Sequence, residues 1–239
     1  MSLTVGSLFS GIGGLDLGLE RAGMTVAWQA EVDPFASSVL AHHWPNVPNL
    51  GDVTSIDWST VERPDLICGG YPCQPFSFAG LRKGADDPRH LWPYMLDAVR
   101  ALRPRYVLIE NVAGHLGLGF DRVLCDLAAL GFDAEWSVVS ACSVGASHTR
   151  PRLFALAYPS GAHTPGDVPA PCATGGRAEP RGNGGNQSRP GRWLPEPEVG
   201  RMADGLSRRM VRGPLRGLGN AVVPQVAELI GRRILASVT

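Results

Sequence analysis

The chain has 239 residues, 44% hydrophobic and 18% charged. These are ordinary values for a soluble globular protein, and the length suits one α/β domain with a small appendage. The net charge of +0 hides an asymmetry: residues 1–159 carry 11 Lys+Arg against 16 Asp+Glu, and residues 160–239 carry 11 against 6. A basic second part can face phosphates, although 21 of the 22 basic residues are arginine and a GC-rich genome accounts for that equally well.

No apolar run reaches the roughly 18 residues that span a bilayer. The first nine residues lack the basic start and long apolar stretch of a signal peptide. The expectation is a cytoplasmic protein with no membrane partner. The cysteines are Cys68, Cys73, Cys125, Cys142 and Cys172, odd in number and without a CxxC pair. That argues against a disulfide framework and a zinc site. Each is then a small core residue or a nucleophile, and most are expected in the core.

Leu3–Phe9 is a short apolar run that ends in Ser10-Gly11-Ile12-Gly13-Gly14, after which Leu15, Leu19 and Ala22 fall at helical spacing up to Gly23. This reads as strand, Gly-rich turn, helix. Thr25–Ala30 is a second strand, Pro34–His43 a helix, and Asp65–Cys68 a strand running into Gly69-Gly70. Leu91–Leu102 is an amphipathic helix, Tyr106–Ile109 a strand ending at Glu110-Asn111, and Phe120–Leu130 a helix closed by Gly131. Ala134–Ala141 and Leu153–Tyr158 read as strands. Strands alternating with helices imply an α/β fold with a mostly parallel sheet and helices on both faces.

The pattern breaks at residue 160. Ser160–Arg192 holds 8 Gly and 5 Pro in 33 residues, with Val168 its only large aliphatic. Such a stretch cannot build a core and is expected to be a mobile loop. Order is expected to resume near Trp193. Ala221–Val238 closes the chain as a helix with Pro224 in its first turn.

Three segments carry chemistry. Glycines at the first strand–helix turn let backbone amides approach a ligand, and a plain tight turn would use them equally well. Glu31 ends the second strand, where a Rossmann-like fold grips ribose hydroxyls. Asp52 of Gly51-Asp52-Val53 is placed to accept from an adenine amine. Each acid taken singly is more often a solvated loop residue. In Gly69-Gly70-Tyr71-Pro72-Cys73-Gln74-Pro75-Phe76-Ser77, a cysteine follows a strand end between prolines. Alone it reads as an idle loop thiol. With Glu110 on the same sheet edge, it becomes one half of a covalent-catalysis pair.

Phe9-Ser-Gly-Ile-Gly-Gly14, Glu31, Gly51-Asp-Val53, Gly70-Tyr-Pro-Cys-Gln74, Glu110-Asn-Val112, Arg150-Pro-Arg152 and Gly219-Asn-Ala-Val222 occur in an order that resembles the cytosine-C5 DNA methyltransferase family. The likeness covers residues 3–158 and about 215–238. It implies a Rossmann-like class I methyltransferase with S-adenosylmethionine as donor, S-adenosylhomocysteine as product and no metal. It implies Cys73 as nucleophile beside Gln74, Glu110 as the acid on the base, and Arg150 and Arg152 holding the flipped cytosine and its phosphate. Phe9, Gly11, Gly13, Gly14, Glu31, Val32, Asp52, Val53, Gly70, Pro72, Asn220, Ala221 and Val222 become cofactor residues. Ser77, then Arg82, Lys83 and Arg89 in a loop over Gly80–Trp92 that closes over double-stranded DNA, and Arg177, Arg181, Arg189 and Arg192 become DNA contacts.

The resemblance divides the chain into a catalytic and cofactor-binding domain (1–159), a reduced target-recognition region (160–214) and a C-terminal segment (215–239) packing back on the first domain. A monomer, with a cognate restriction enzyme as partner, fits it. Tyr71 stands where phenylalanine is usual, and His148 where a glutamine usually opens the Arg-x-Arg segment. The recognition region is short, and its arginines can hold phosphates but offer few groups for base edges. A transfer-RNA branch of the family would carry Pro-Pro-Cys and Cys-Phe-Thr elements, which this chain lacks. A non-catalytic relative would have lost the cysteine, the glutamate or the glycines. A Rossmann-like oxidoreductase would need neither Cys73 nor the late Gly-Asn-Ala-Val.

Overall fold

The structure is a computed structural model, and it describes residues 2–72, 91–161 and 217–238. The strands are β1 (Thr4–Leu8), β2 (Thr25–Ala30), β3 (Leu66–Gly69), β4 (Tyr106–Val112), β5 (Phe132–Val139) and β6 (Arg152–Pro159). The helices are α1 (Gly14–Ala22), α2 (Pro34–His43), α3 (Trp92–Leu102), α4 (Phe120–Ala129) and α5 (Pro224–Ala236). Short 3-10 turns follow β4, over Ala113–Gly117, and β5, over Ala141–Val144.

One six-stranded sheet has the order β2-β1-β3-β4-β6-β5. The pairs among β2, β1, β3 and β4 are parallel. Strand β6 runs antiparallel to both β4 and β5. The alternation of side chains along a strand decides the layers. Ile67, Val107 and Ile109 join Trp92, Met95, Val99, Val123 and Leu127 in one core, under α3 and α4. Leu66, Cys68, Tyr106 and Leu108 join Leu15, Leu19, Val226 and Ile234 in the other, under α1 and α5. Runs apolar on both faces are what a doubly covered sheet demands.

Helices α1 and α5 meet backbone to backbone. A Cβ added at Gly14 would lie 2.5 Å from the Val222 carbonyl oxygen, and one at Gly18 would lie 2.3 Å from that of Pro224. Only glycine permits this approach. The last helix thus packs on the first.

Two features differ from the sequence reading. Strand β4 runs through Glu110 and Asn111 to Val112, because β6 offers it a full antiparallel ladder. Of the three cysteines among the described residues, Cys68 is buried and two are exposed, against the expectation that most are core: Cys125 lies on the solvent side of α4 and Cys142 in the turn after β5. No helix among the described residues is long and apolar enough to cross a membrane.

Candidate active site

The strand order reverses around β1, which is flanked by β2 on one side and β3 on the other. Loops leaving β1 and β3 therefore diverge, and an open α/β sheet forms its crevice there, beyond the C-terminal strand ends. That edge carries Phe9 after β1, Glu31 after β2, Gly70 to Pro72 after β3, and the end of β4. Because β6 is antiparallel, its first residue, Arg152, reaches the same edge and pairs with Val112.

On the β1–β2 side, Phe9, Ala30, Glu31, Val32, Gly51, Asp52, Val53 and Leu91 line a groove of about 270 Å³, open to solvent. The Gly-rich turn is held tightly. Phe9 adopts a left-handed φ of 54°, and Gly11 and Gly13 also have positive φ. The Glu31 carboxylate accepts from the Gly11 amide at 2.8 Å and from the Asp33 amide at 2.7 Å. Asp52 accepts from the Thr54 amide at 2.9 Å and then its hydroxyl, which holds its carboxyl below the usual range. Val32 is 63% exposed on the lip of the groove.

Asn49, which the sequence reading passed over, ties the two acidic loops together. Its Oδ1 accepts from the amides of Glu31 (3.0 Å) and Gly51 (3.1 Å), and its Nδ2 donates to the Glu31 carbonyl at 3.1 Å. An asparagine two residues before a glycine is a turn signal of this kind. Behind the turn lies a buried polar cluster: Asp16 accepts from Ser7 Oγ at 3.0 Å and from Gln29 Nε2 at 2.8 Å. Burial outweighs those bonds and pushes the Asp16 carboxyl up to about 6. The same burial, followed by Asp16, pushes the Cys68 thiol well above its ordinary value.

On the β3–β4 side, the Glu110 carboxyl is buried and 3.2 Å from Arg152 Nε. Burial pushes it up to about 7 despite the opposing charges of Arg152 and Arg150. It sits against Gly70, where an added Cβ would lie 2.7 Å from Glu110 Oε2. Next to Gly70, Tyr71 is buried and its hydroxyl lies 2.6 Å from His115 Nε2. His115 Nδ1 faces the Leu118 carbonyl at 2.9 Å. A carbonyl only accepts, so in the neutral ring Nδ1 carries the proton and Nε2 accepts from the Tyr71 hydroxyl. Asn111 Nδ2 donates to the Tyr71 carbonyl at 3.3 Å. The backbone leading to Cys73 is thus fastened to the segment that follows Glu110. Neither His115 nor its pairing with Tyr71 was visible in the sequence.

The C-terminal segment reaches this region too. Val222 lies against Gly14, and the carbonyls of Gly219 and Ala221 both accept from Arg150 Nη2 at 2.7 Å. The structure therefore places Arg150 on the protein's own backbone and Arg152 on Glu110. Burial, then the neighbouring Arg152 charge, lowers the Arg150 guanidinium from its ordinary value. Asn220 is exposed. Of the residues singled out from sequence, Cys73, Gln74, Ser77, Arg82, Lys83, Arg89, Arg177, Arg181, Arg189 and Arg192 lie outside the described residues, as does nearly all of the stretch 160–192.

A model of the C-5 cytosine-specific DNA methylase family matches residues 3–172. A protein of Escherichia phage P1 named DNA N-6-adenine-methyltransferase is 42% identical over 149 residues, 56% of this chain and 20% of that protein. The type II methyltransferase M.NgoMIV of Neisseria gonorrhoeae is 34% identical over 162 residues, 66% of this chain and 52% of the relative. The match thus spans about half or less of these relatives' length. A solved structure of a DNMT2 variant from Spodoptera frugiperda shares the fold, with a TM-score of 0.58 and 23% identity over 69% of this chain and 52% of that one.

Proposed function

The chain belongs to the C-5 cytosine-specific DNA methylase family, and from that premise we propose that it transfers a methyl group from S-adenosylmethionine to C5 of cytosine in double-stranded DNA. The observation that carries the reading is Glu110: a buried carboxyl on the rim beside Arg152, pushed up to about 7. A carboxyl in that range is protonated often enough at neutral pH to donate to a ring nitrogen.

The target cytosine leaves the stack, since its ring atoms cannot be reached within the duplex. The Cys73 thiolate adds to C6, and Glu110 donates its proton to N3, so the electron pair of the C5–C6 double bond is released towards C5. S-adenosylmethionine, when bound, supplies an electrophilic methyl carbon to C5 and departs as S-adenosylhomocysteine. A base then removes the C5 proton, the double bond re-forms as the Cys73 sulfur leaves C6 as thiolate, and N3 returns its proton to Glu110. Arg152 holds Glu110 in place and offers the base a positive neighbour. The groove residues suit the donor: Glu31 retains acceptor capacity for ribose hydroxyls, Asp52 for an adenine amine, and Phe9 and Val32 offer apolar contact.

In the same reading, residues 160–214 form a small target-recognition region and the final segment belongs to the cofactor site. Site recognition is then short or relaxed; sequencing that found a strict site of six or more base pairs would sink this part. The main test incubates the chain with labelled S-adenosylmethionine and duplex DNA beside a Cys73→Ser variant. Label at cytosine C5 from the wild type, lost in the variant, is expected. Label at adenine N6, a direct transfer that needs no thiol, or on RNA alone, would overturn the reading.

A further inference from the structure

The two arginines of Arg150-Pro151-Arg152 serve different parts of the molecule. Arg152 meets Glu110. Arg150 bonds the C-terminal segment. One of its terminal nitrogens, Nη2, donates to the carbonyls of both Gly219 and Ala221 at 2.7 Å. Its backbone is left-handed, with φ 35°, which a residue bearing a Cβ adopts rarely and only where its surroundings demand it.

The segment it holds has two other footholds. A Cβ at Gly217 would lie 3.1 Å from Ile12 and 3.2 Å from Phe35, and the backbone of Val222 presses on Gly14. Both footholds lie on or beside the Gly-rich turn. Between them, residues 218–220 are exposed. On the open side of this stretch, the Arg150 guanidinium holds the carbonyls of Gly219 and Ala221 and so sets its path. A guanidinium suits the task, since it stays charged and its bonds to carbonyls are charge-assisted.

We propose that Arg150 is a positioning residue for the methyl donor: it sets Asn220-Ala221-Val222 against the Gly-rich turn and so completes the donor site. Its guanidinium is engaged by the protein and not by DNA. The inference rests on the methyl-donor reading above and deepens it.

The test uses the full chain without DNA, titrated with S-adenosylhomocysteine by calorimetry, and separately with a fluorescent duplex by anisotropy. Both are run well below the thermal midpoint of each variant. In Arg150→Ala, the Kd for S-adenosylhomocysteine is expected to rise at least tenfold while that for the duplex stays within twofold. Arg150→Lys keeps the charge and most of the stem but lacks the planar fork, and is expected to fall between, at about threefold. It serves as the informative variant if the alanine form does not fold. A loss of fold stability alone would leave both constants unmoved. Equal affinity for S-adenosylhomocysteine in wild type and both variants, or a fall in duplex affinity instead, would overturn the inference while leaving the methyl-donor reading intact. No binding by the wild type would overturn both.

Discussion

Asp16 and Glu110 are two buried carboxylates, one on a helix and one on a strand, and burial pushes both towards neutral pH. Their surroundings differ. Asp16 lies in the first turn of α1, sealed in and bonded by the neutral donors Ser7 and Gln29. Glu110 lies at the rim against a glycine, with a guanidinium at 3.2 Å. A perturbed carboxyl marks a functional site only when something else can reach it. Asp16 braces β1, β2 and α1 from behind. In the proposed reaction, Glu110 is the acid that meets the base.

The largest expected effect separates the two roles directly. Glu110→Gln keeps the shape and removes the titrating proton. Methyl transfer should fall by about 10²–10⁴, the usual worth of a positioned acid, with S-adenosylhomocysteine affinity within twofold. Wild-type turnover should also fall as pH rises through about 7, where Glu110 loses its proton. Steady-state rates across pH check both. Full activity in the glutamine variant would place Glu110 beside Asp16 as a purely structural acid.

Asp16→Asn should leave turnover near wild type and change stability instead. The folded-state value is raised from 3.8 to about 6, so the fold favours the neutral form. That contribution is fully present below about pH 4 and is lost as pH rises through about 6. The loss amounts to about 3 kcal/mol at most, at 1.36 kcal/mol for each pH unit of separation. Asparagine can accept from Gln29 and donate to Ser7 Oγ, so the cluster survives without the charge. Urea unfolding at pH 4.5 and 7.5 should show a slope in the wild type that the variant lacks. The same slope in both proteins would mean that Asp16 is not the group responsible.

Gly70→Ala tests the rim from the other side. The added methyl meets the far end of a side chain, Glu110 Oε2, rather than backbone. The carboxylate can move aside, so the midpoint of thermal unfolding should shift little while turnover drops about 10–100-fold through the misplaced acid. At Gly14, by contrast, the obstacle is the Val222 backbone, and the same change should cost stability first. Reversed results at the two glycines would undo the division between rim and seam.

Much of the scaffold is legible in the sequence because its signals are local. The Gly-rich turn after β1, the apolar runs and the spacing in α3 place almost every described element within a few residues. Phe9, Glu31, Val32, Asp52 and Val53 do converge on one groove. What stays hidden is long-range. Periodicity identifies β6 as a strand but not its antiparallel direction, which alone brings Arg152 to the rim. The Arg-x-Arg spacing suggests two groups with one task, whereas a backbone turn at Arg150 sends them to different partners. Gly18 carries no sign that α5 will lie against it, since the contact forms with Pro224 and Ala227, about 200 residues away in the chain. Asn49 and His115 act through partners in other loops, and neither stands in a recognisable motif.

The smallest effect concerns the fastening behind the rim. Tyr71→Phe removes the hydroxyl that His115 Nε2 accepts at 2.6 Å and keeps the ring packed on Trp92, whose centroid is 5.6 Å away. Loss of one buried hydrogen bond costs about 1 kcal/mol, or about 2–4 °C in a chain of this length. If the bond also sets the backbone that leads into Cys73, turnover should fall a few-fold at unchanged affinity for duplex and S-adenosylhomocysteine. A His115→Leu change should then add almost nothing to Tyr71→Phe in turnover, because both break the same link. Additive losses in turnover would show two independent contributions and would reduce the Tyr71–His115 pair to packing, on the same footing as the Asp16 cluster behind the turn.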